Sequence, residues 1–75
     1  MDLLEEKETK FILRIIESSN EPLETKEIEG KAKKITRIKI LYRLNNLRAE
    51  GLIFGKHIGS GKGTWIWWKN SEAQN

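Results

Sequence analysis

Apolar residues return at helical spacing along the first part of the chain. Leu4, Phe11, Ile12, Ile15 and Ile16 form one stripe, which predicts a helix over residues 2–18. Asp2 with Glu5 three residues on has the form of a capping box with Asp as the cap. Leu3 and Leu13 fall off the stripe, as ordinary exposed leucines or as part of a dimer contact. Ser18-Ser19-Asn20, with Pro22 just beyond, ends the helix. Thr25 is placed to cap a second helix over residues 25–33 that turns Ile28 and Ala32 inward, although Gly30 weakens it by about 1 kcal/mol relative to Ala. A third helix is expected over residues 36–50, stopped by Gly51. With residues about 100° apart, Ile40, Leu44 and Leu47 share one side, with Leu41 and the stem of Arg48 on its flank. Ile38, Lys39, Tyr42, Asn45, Asn46 and Ala49 turn outward. Arg43 lies close enough to the inner stripe to lay its stem over it.

After Gly51 the period changes from helical to extended. Residues 52–58 and 64–68 are β-rich runs, and Gly59-Ser60-Gly61-Lys62-Gly63 between them makes a hairpin. Alternation sends Trp65 and Trp67 to one face, Ile66 and Trp68 to the other. A two-stranded hairpin is marginal alone and must be fastened to the helices, for which Trp67 is the expected anchor. A further tryptophan either covers the core edge, the favoured role, or stacks on a base or an arginine. The picture is α+β: three helices and a two-stranded hairpin in a single domain over residues 1–70, with a polar C-terminal tail over residues 71–75 expected to fray.

Seventy-five residues bury only about 60 % of the surface of the unfolded chain, so large apolar residues are core candidates before anything else. The net charge of +3 hides a division. Residues 1–30 hold nine acids against four bases, and residues 31–75 hold ten bases against two acids. Such asymmetry fits a second half that meets a polyanion, although Lys and Glu also simply solubilise small domains. No run approaches the roughly 20 apolar residues of a membrane span, and MDLLEEKETK is acidic where a secretion signal is basic. A cytoplasmic protein without a membrane partner is the expectation. With no cysteine there are neither disulfides nor thiolate metal sites.

Candidate chemistry removes more than it adds. The run GKGT looks superficially like a phosphate-binding loop, but Lys56 stands where that motif needs a glycine and Gly63 where it needs Ser or Thr. The loop also enters a strand, so no helix N-terminus is available to a phosphate. His57 is the only histidine, without neighbouring ligands for a metal or a third group to orient it as a base for a serine. Glu5, Glu6 and Glu8 suit a solvated helix face far better than a catalytic pair. Neither an enzyme, a cofactor nor a small-molecule ligand is expected.

The segment PLETKEIEGKAKKITRIKILYRLNNLRAEGLI followed by GKHIGSGKGTWIWWK resembles the winged helix-turn-helix family, in the manner of the small transcriptional regulators of archaea and bacteria. With the first helix the likeness spans nearly the whole chain. It rests on the spacing of Ile40, Leu44, Leu47 and Gly51-Leu52-Ile53 and on the hairpin that follows. The resemblance implies a third helix that enters the major groove of double-stranded DNA, with Thr36, Arg37, Ile38, Lys39, Tyr42 and Asn46 at its start and outer face. It implies a wing carrying Lys56, His57, Ser60 and Lys62 along the backbone or into the minor groove.

On DNA, Lys33, Lys34, Arg37, Lys39, Lys56 and Lys62 would neutralise phosphates. Tyr42, Asn45 and Asn46 would bond base edges, Arg37 would pair with guanine, and Ile38 would meet a thymine methyl or a protein. A transcriptional regulator acting as a homodimer on a two-fold site is the implied function. The alternative is a protein-interaction module of a transcription, replication or membrane-remodelling assembly. A binder of structured RNA or left-handed duplex ranks last, because the proline pair those proteins carry before the tryptophan is missing here.

Overall fold

Pro22 bars a helix, and the two residues behind it become a strand. The structure, a computed structural model describing residues 3–74, runs α1 (Leu3–Glu17), β1 (Leu23–Glu24), α2 (Thr25–Lys31), α3 (Arg37–Ala49), β2 (Ile53–Ile58) and β3 (Thr64–Lys69), then one 3-10 turn over Ser71–Gln74. The sheet is antiparallel in the order β1-β3-β2. The two-stranded hairpin expected from the sequence is thus a three-stranded sheet, because Leu23 and Glu24 pair with Trp67 and Ile66 on the free edge of β3. Two residues are too few for an alternating pattern to announce. Within the expected tail, Ser71–Gln74 form the 3-10 turn, and the Glu72 amide donates to Asn70 Oδ1 at 3.2 Å.

Ile12 and Ile16 of α1, Ile28 and Ala32 of the α2 region, Ile40, Leu44 and Leu47 of α3, and Leu23, Ile53 and Trp67 of the sheet make one core. The α1 stripe is narrower than its periodicity suggests. Leu4 and Phe11 are exposed, since they lie about 80° and 100° round the helix from Ile12, on an edge that no neighbouring element covers. Leu13, on the opposite flank, is half-buried and packs against the core. The cap at Asp2 lies outside the described residues.

Thr25 is not the cap of α2 but its first residue. Glu24 holds the cap position, and its backbone amide donates to Glu27 Oε1 at 2.8 Å. Thr25 is buried, and its hydroxyl accepts a hydrogen bond from Trp67 Nε1 at 2.9 Å. That bond joins residues 42 positions apart and fixes the tryptophan that closes the core. The helix stops at Lys31, short of the expected residue 33, where the chain turns toward α3. The third helix begins with Thr36 accepting the Lys39 amide at 3.3 Å and ends at Gly51, whose φ of 77° suits glycine.

Gly55 faces Trp67 across the β2–β3 pair, and a Cβ there would stand 2.6 Å from the indole ring. The absence of a side chain at this position lets the largest core residue lie flat against the sheet. Arg43 is buried, its Nη2 3.2 Å from Glu8 Oε1 of α1. The ion pair clamps α1 to α3, while the Arg43 Nε meets no hydrogen-bond partner among the described residues. No described helix is long and apolar enough to cross a membrane.

Candidate nucleic-acid interface

The outer face of α3 follows from the burial of the inner one. With Ile40, Leu44 and Leu47 in the core, Ile38 is left 81 % exposed and Tyr42 60 % exposed, with Lys39 between them in sequence and also exposed. Asn46, one turn beyond Tyr42, is half-buried. Asn45 is exposed, but its side-chain amide donates to the Leu41 carbonyl at 2.9 Å. The Tyr42 ring lies 5.3 Å from the Arg43 guanidinium carbon, which steadies the ring from behind.

Two of the expected contacts are already engaged within the chain. The Thr36 hydroxyl serves the helix cap, and Arg37 pairs with Glu29 of α2 at 3.2 Å. The arginine remains largely exposed, so the pair holds its guanidinium at the start of α3 with little energy, about 0–1 kcal/mol for a surface ion pair. Lys33 and Lys34 stand on the turn between α2 and α3, where they rim a groove against α1. They do not belong to the outer face of α3.

The hairpin divides its residues between two faces. Gly55 and His57 point to the side of Trp65 and Trp67, whereas Phe54, Lys56 and Ile58 point to the other. Phe54 and Trp68 pair there with ring centroids 5.8 Å apart. Lys56 therefore lies on the open face of the sheet, away from His57. Ser60 and Lys62 sit in the loop with Gly59, Gly61 and Gly63, whose φ values of 85°, 64° and 43° allow it to fold back tightly. His57 Nε2 stands 3.3 Å from the Lys62 carbonyl oxygen, so the imidazole braces the loop when that nitrogen carries the proton. Among the described residues no three His, Cys, Asp or Glu side chains gather as a metal-binding group.

Three tryptophans next to a glycine loop now have a physical account. Trp65 stacks on Trp67 at 5.3 Å and 20°, His57 meets Trp65 edge-on at 5.7 Å, and the Arg48 guanidinium lies 5.3 Å over the Trp65 ring. This column ties the last turns of α3 to the hairpin from the Gly55–Trp67 pair out to the His57–Trp65 pair beside the loop. The sequence places Arg48 on the flank of the core and offers a tryptophan either to the core edge or to an arginine; Trp65 does both, although nothing local pairs it with Arg48 in particular. The Thr25 to Trp67 bond and the Glu8 to Arg43 pair were likewise invisible, because each joins residues far apart in sequence. No protein-family model matches the chain, and no curated protein matches it.

Proposed function

We propose that the chain is a winged helix-turn-helix domain that binds double-stranded DNA as a transcriptional regulator. The observation that carries this reading is the outer face of α3, which is uncovered, cationic at Lys39, and fixed at its start by the Thr36 cap. In this reading α3 lies in the major groove with Ile38, Lys39, Tyr42 and Asn46 toward the DNA. Arg37 reaches a phosphate or a guanine from the first turn, and Ser60 and Lys62 follow the backbone or the adjacent minor groove. Phosphate contacts supply most of the affinity and make it salt-dependent, while Tyr42, Asn46 and the Ile38 methyls supply what sequence preference there is. A single domain of this size buries little DNA surface, so high specificity calls for a homodimer on a two-fold site.

The column from Arg48 through Trp65 supports this reading, because it joins the hairpin to α3 before DNA is met. Ile38, exposed to 81 %, favours the rival reading of a protein-interaction module. The two readings separate on charge. Removing Lys39 and Lys62 together should weaken duplex binding across all sequences and lower the slope of log K against log salt by about 2. Unchanged affinity in the double variant would remove this docking mode. Ile38→Ala should matter only on duplexes whose thymine methyl it meets.

A further inference from the structure

Two exposed apolar residues on α1, Leu4 and Phe11, have no cover, 61 % and 48 % exposed in a chain with little core to spare. They line a groove of about 730 Å³ between α1 and the turn that joins α2 to α3, with Ile35 on its far wall. The groove continues along α1 into a second hollow of about 410 Å³, and Phe11 and Lys31 border both. From Leu4 to Ser18 this makes an apolar channel about 20 Å long at 1.5 Å per residue. A small molecule would stay largely uncovered in a channel this open, whereas a helix lying along it would cover both side chains.

The rim determines the chemistry of the occupant. Lys7 and Arg14 border the channel on α1, and Lys31, Lys33 and Lys34 border it on the opposite side. Of the acids along it, Glu8 is engaged by Arg43 and Glu27 by the Glu24 amide. A channel with five cations on its rim thus runs along the helix of the acidic half of the chain. We infer that it binds an amphipathic helix of another protein, with an apolar stripe flanked by Asp and Glu.

A second copy of this chain is a poor occupant. Leu4 and Phe11 share their side of α1 with Lys7 and Arg14, so two such faces would oppose cations to cations. Of the other exposed apolar residues, Ile38 and Tyr42 stand beside Lys39, Phe54 and Ile58 flank Lys56, and Leu3 is a single leucine one turn from Glu6, which Lys10 already pairs, so none offers an apolar stripe flanked by free acids. The apolar floor sets the channel apart from a phosphate-binding surface, and the inference does not depend on DNA binding by α3.

The probe is a fluorescein-labelled synthetic helix of about 14 residues, with Leu at i, i+3, i+4 and i+7 and Glu on both flanks. Its twin carries Lys for every Glu. The acidic peptide should bind the intact chain and the basic twin should not. Lys7→Glu with Lys31→Glu should weaken the acidic peptide roughly tenfold, as expected when two ion pairs give way to two like-charge repulsions, and should favour the twin. All these side chains are exposed, and circular dichroism checks the fold. Leu4→Ser should weaken both pairings, and Lys39→Ala neither, which separates this site from the DNA reading. The inference is overturned by no binding of the acidic peptide at its solubility limit, by equal binding of both peptides, or by affinity indifferent to the Lys7/Lys31 variant. It is also overturned if that variant dissociates a self-dimer seen by sedimentation, or weakens duplex DNA binding while leaving the peptide untouched.

Discussion

Thr25→Val removes one oxygen and keeps the shape of the side chain, which makes it a direct probe of how the hairpin is fastened. In the folded chain the Thr25 hydroxyl accepts from Trp67 Nε1 at 2.9 Å, and both residues are buried, Trp67 at 2 % exposure. After substitution the indole N–H has lost its acceptor in a site closed to water. The loss of a hydrogen bond that leaves a buried donor unpaired costs about 1–3 kcal/mol. A domain of this size has about 4–11 kcal/mol in all at 0.05–0.15 kcal/mol per residue, so a large share of its stability is at stake. With about 4–8 °C lost per kcal/mol, Tm should fall by roughly 5–20 °C. Urea unfolding followed by tryptophan fluorescence measures the change through the midpoint at constant m value. Thr25→Ser, which keeps the oxygen and loses a methyl group, should lose less than the valine variant. A valine variant within about 0.5 kcal/mol of the parent, the scatter of an ordinary surface substitution, would refute the reasoning.

Gly55→Ala should destabilise by about 1–3 kcal/mol, because the new methyl group would meet the Trp67 ring, and the near-ultraviolet circular dichroism of the tryptophans should change with it. Glu8→Ala should cost about 3–5 kcal/mol by leaving the buried Arg43 charge unpaired, whereas Glu8→Leu with Arg43→Met should sit near the parent; denaturant midpoints of the three proteins decide it. Ile38→Ala should leave stability within about 0.5 kcal/mol of the parent by the same midpoints, since that side chain stands in solvent.

Much of α3 is legible in the sequence because Ile40, Leu44 and Leu47 keep one period and Gly51 stops it, whereas the Thr36 cap emerges only from the structure. Strand alternation puts Trp65 and Trp67 on one face, of which Trp67, the expected anchor, is the buried one, and helix spacing puts Arg48 on the flank of the core. The sheet was less legible. The β1 strand is two residues long and exists only because β3 offers it an edge, a property of the assembled fold and not of residues 23 and 24.

On α1 the periodicity defines a stripe but not its width. Leu4 and Phe11 belong to the stripe by spacing, yet stay exposed because no element packs on their edge, while Leu13 gains cover from the other side. The same limit applies to the candidate interface. Helix spacing turns Ile38, Lys39 and Tyr42 outward, and they are outward. That Thr36 and Arg37 are already engaged, and that Lys56 and His57 point to opposite sides of the sheet, follows from partners and pairings beyond local sequence.

Binding of the parent protein to a mixed-sequence duplex, followed by fluorescence anisotropy from low to physiological salt, tests the central claim most directly. The account predicts affinity in the micromolar range that falls steeply with salt, as the phosphate contacts of Arg37, Lys39 and Lys62 release counterions. An absence of binding even at the lowest salt would contradict it and leave protein interaction as the function of the exposed α3 face.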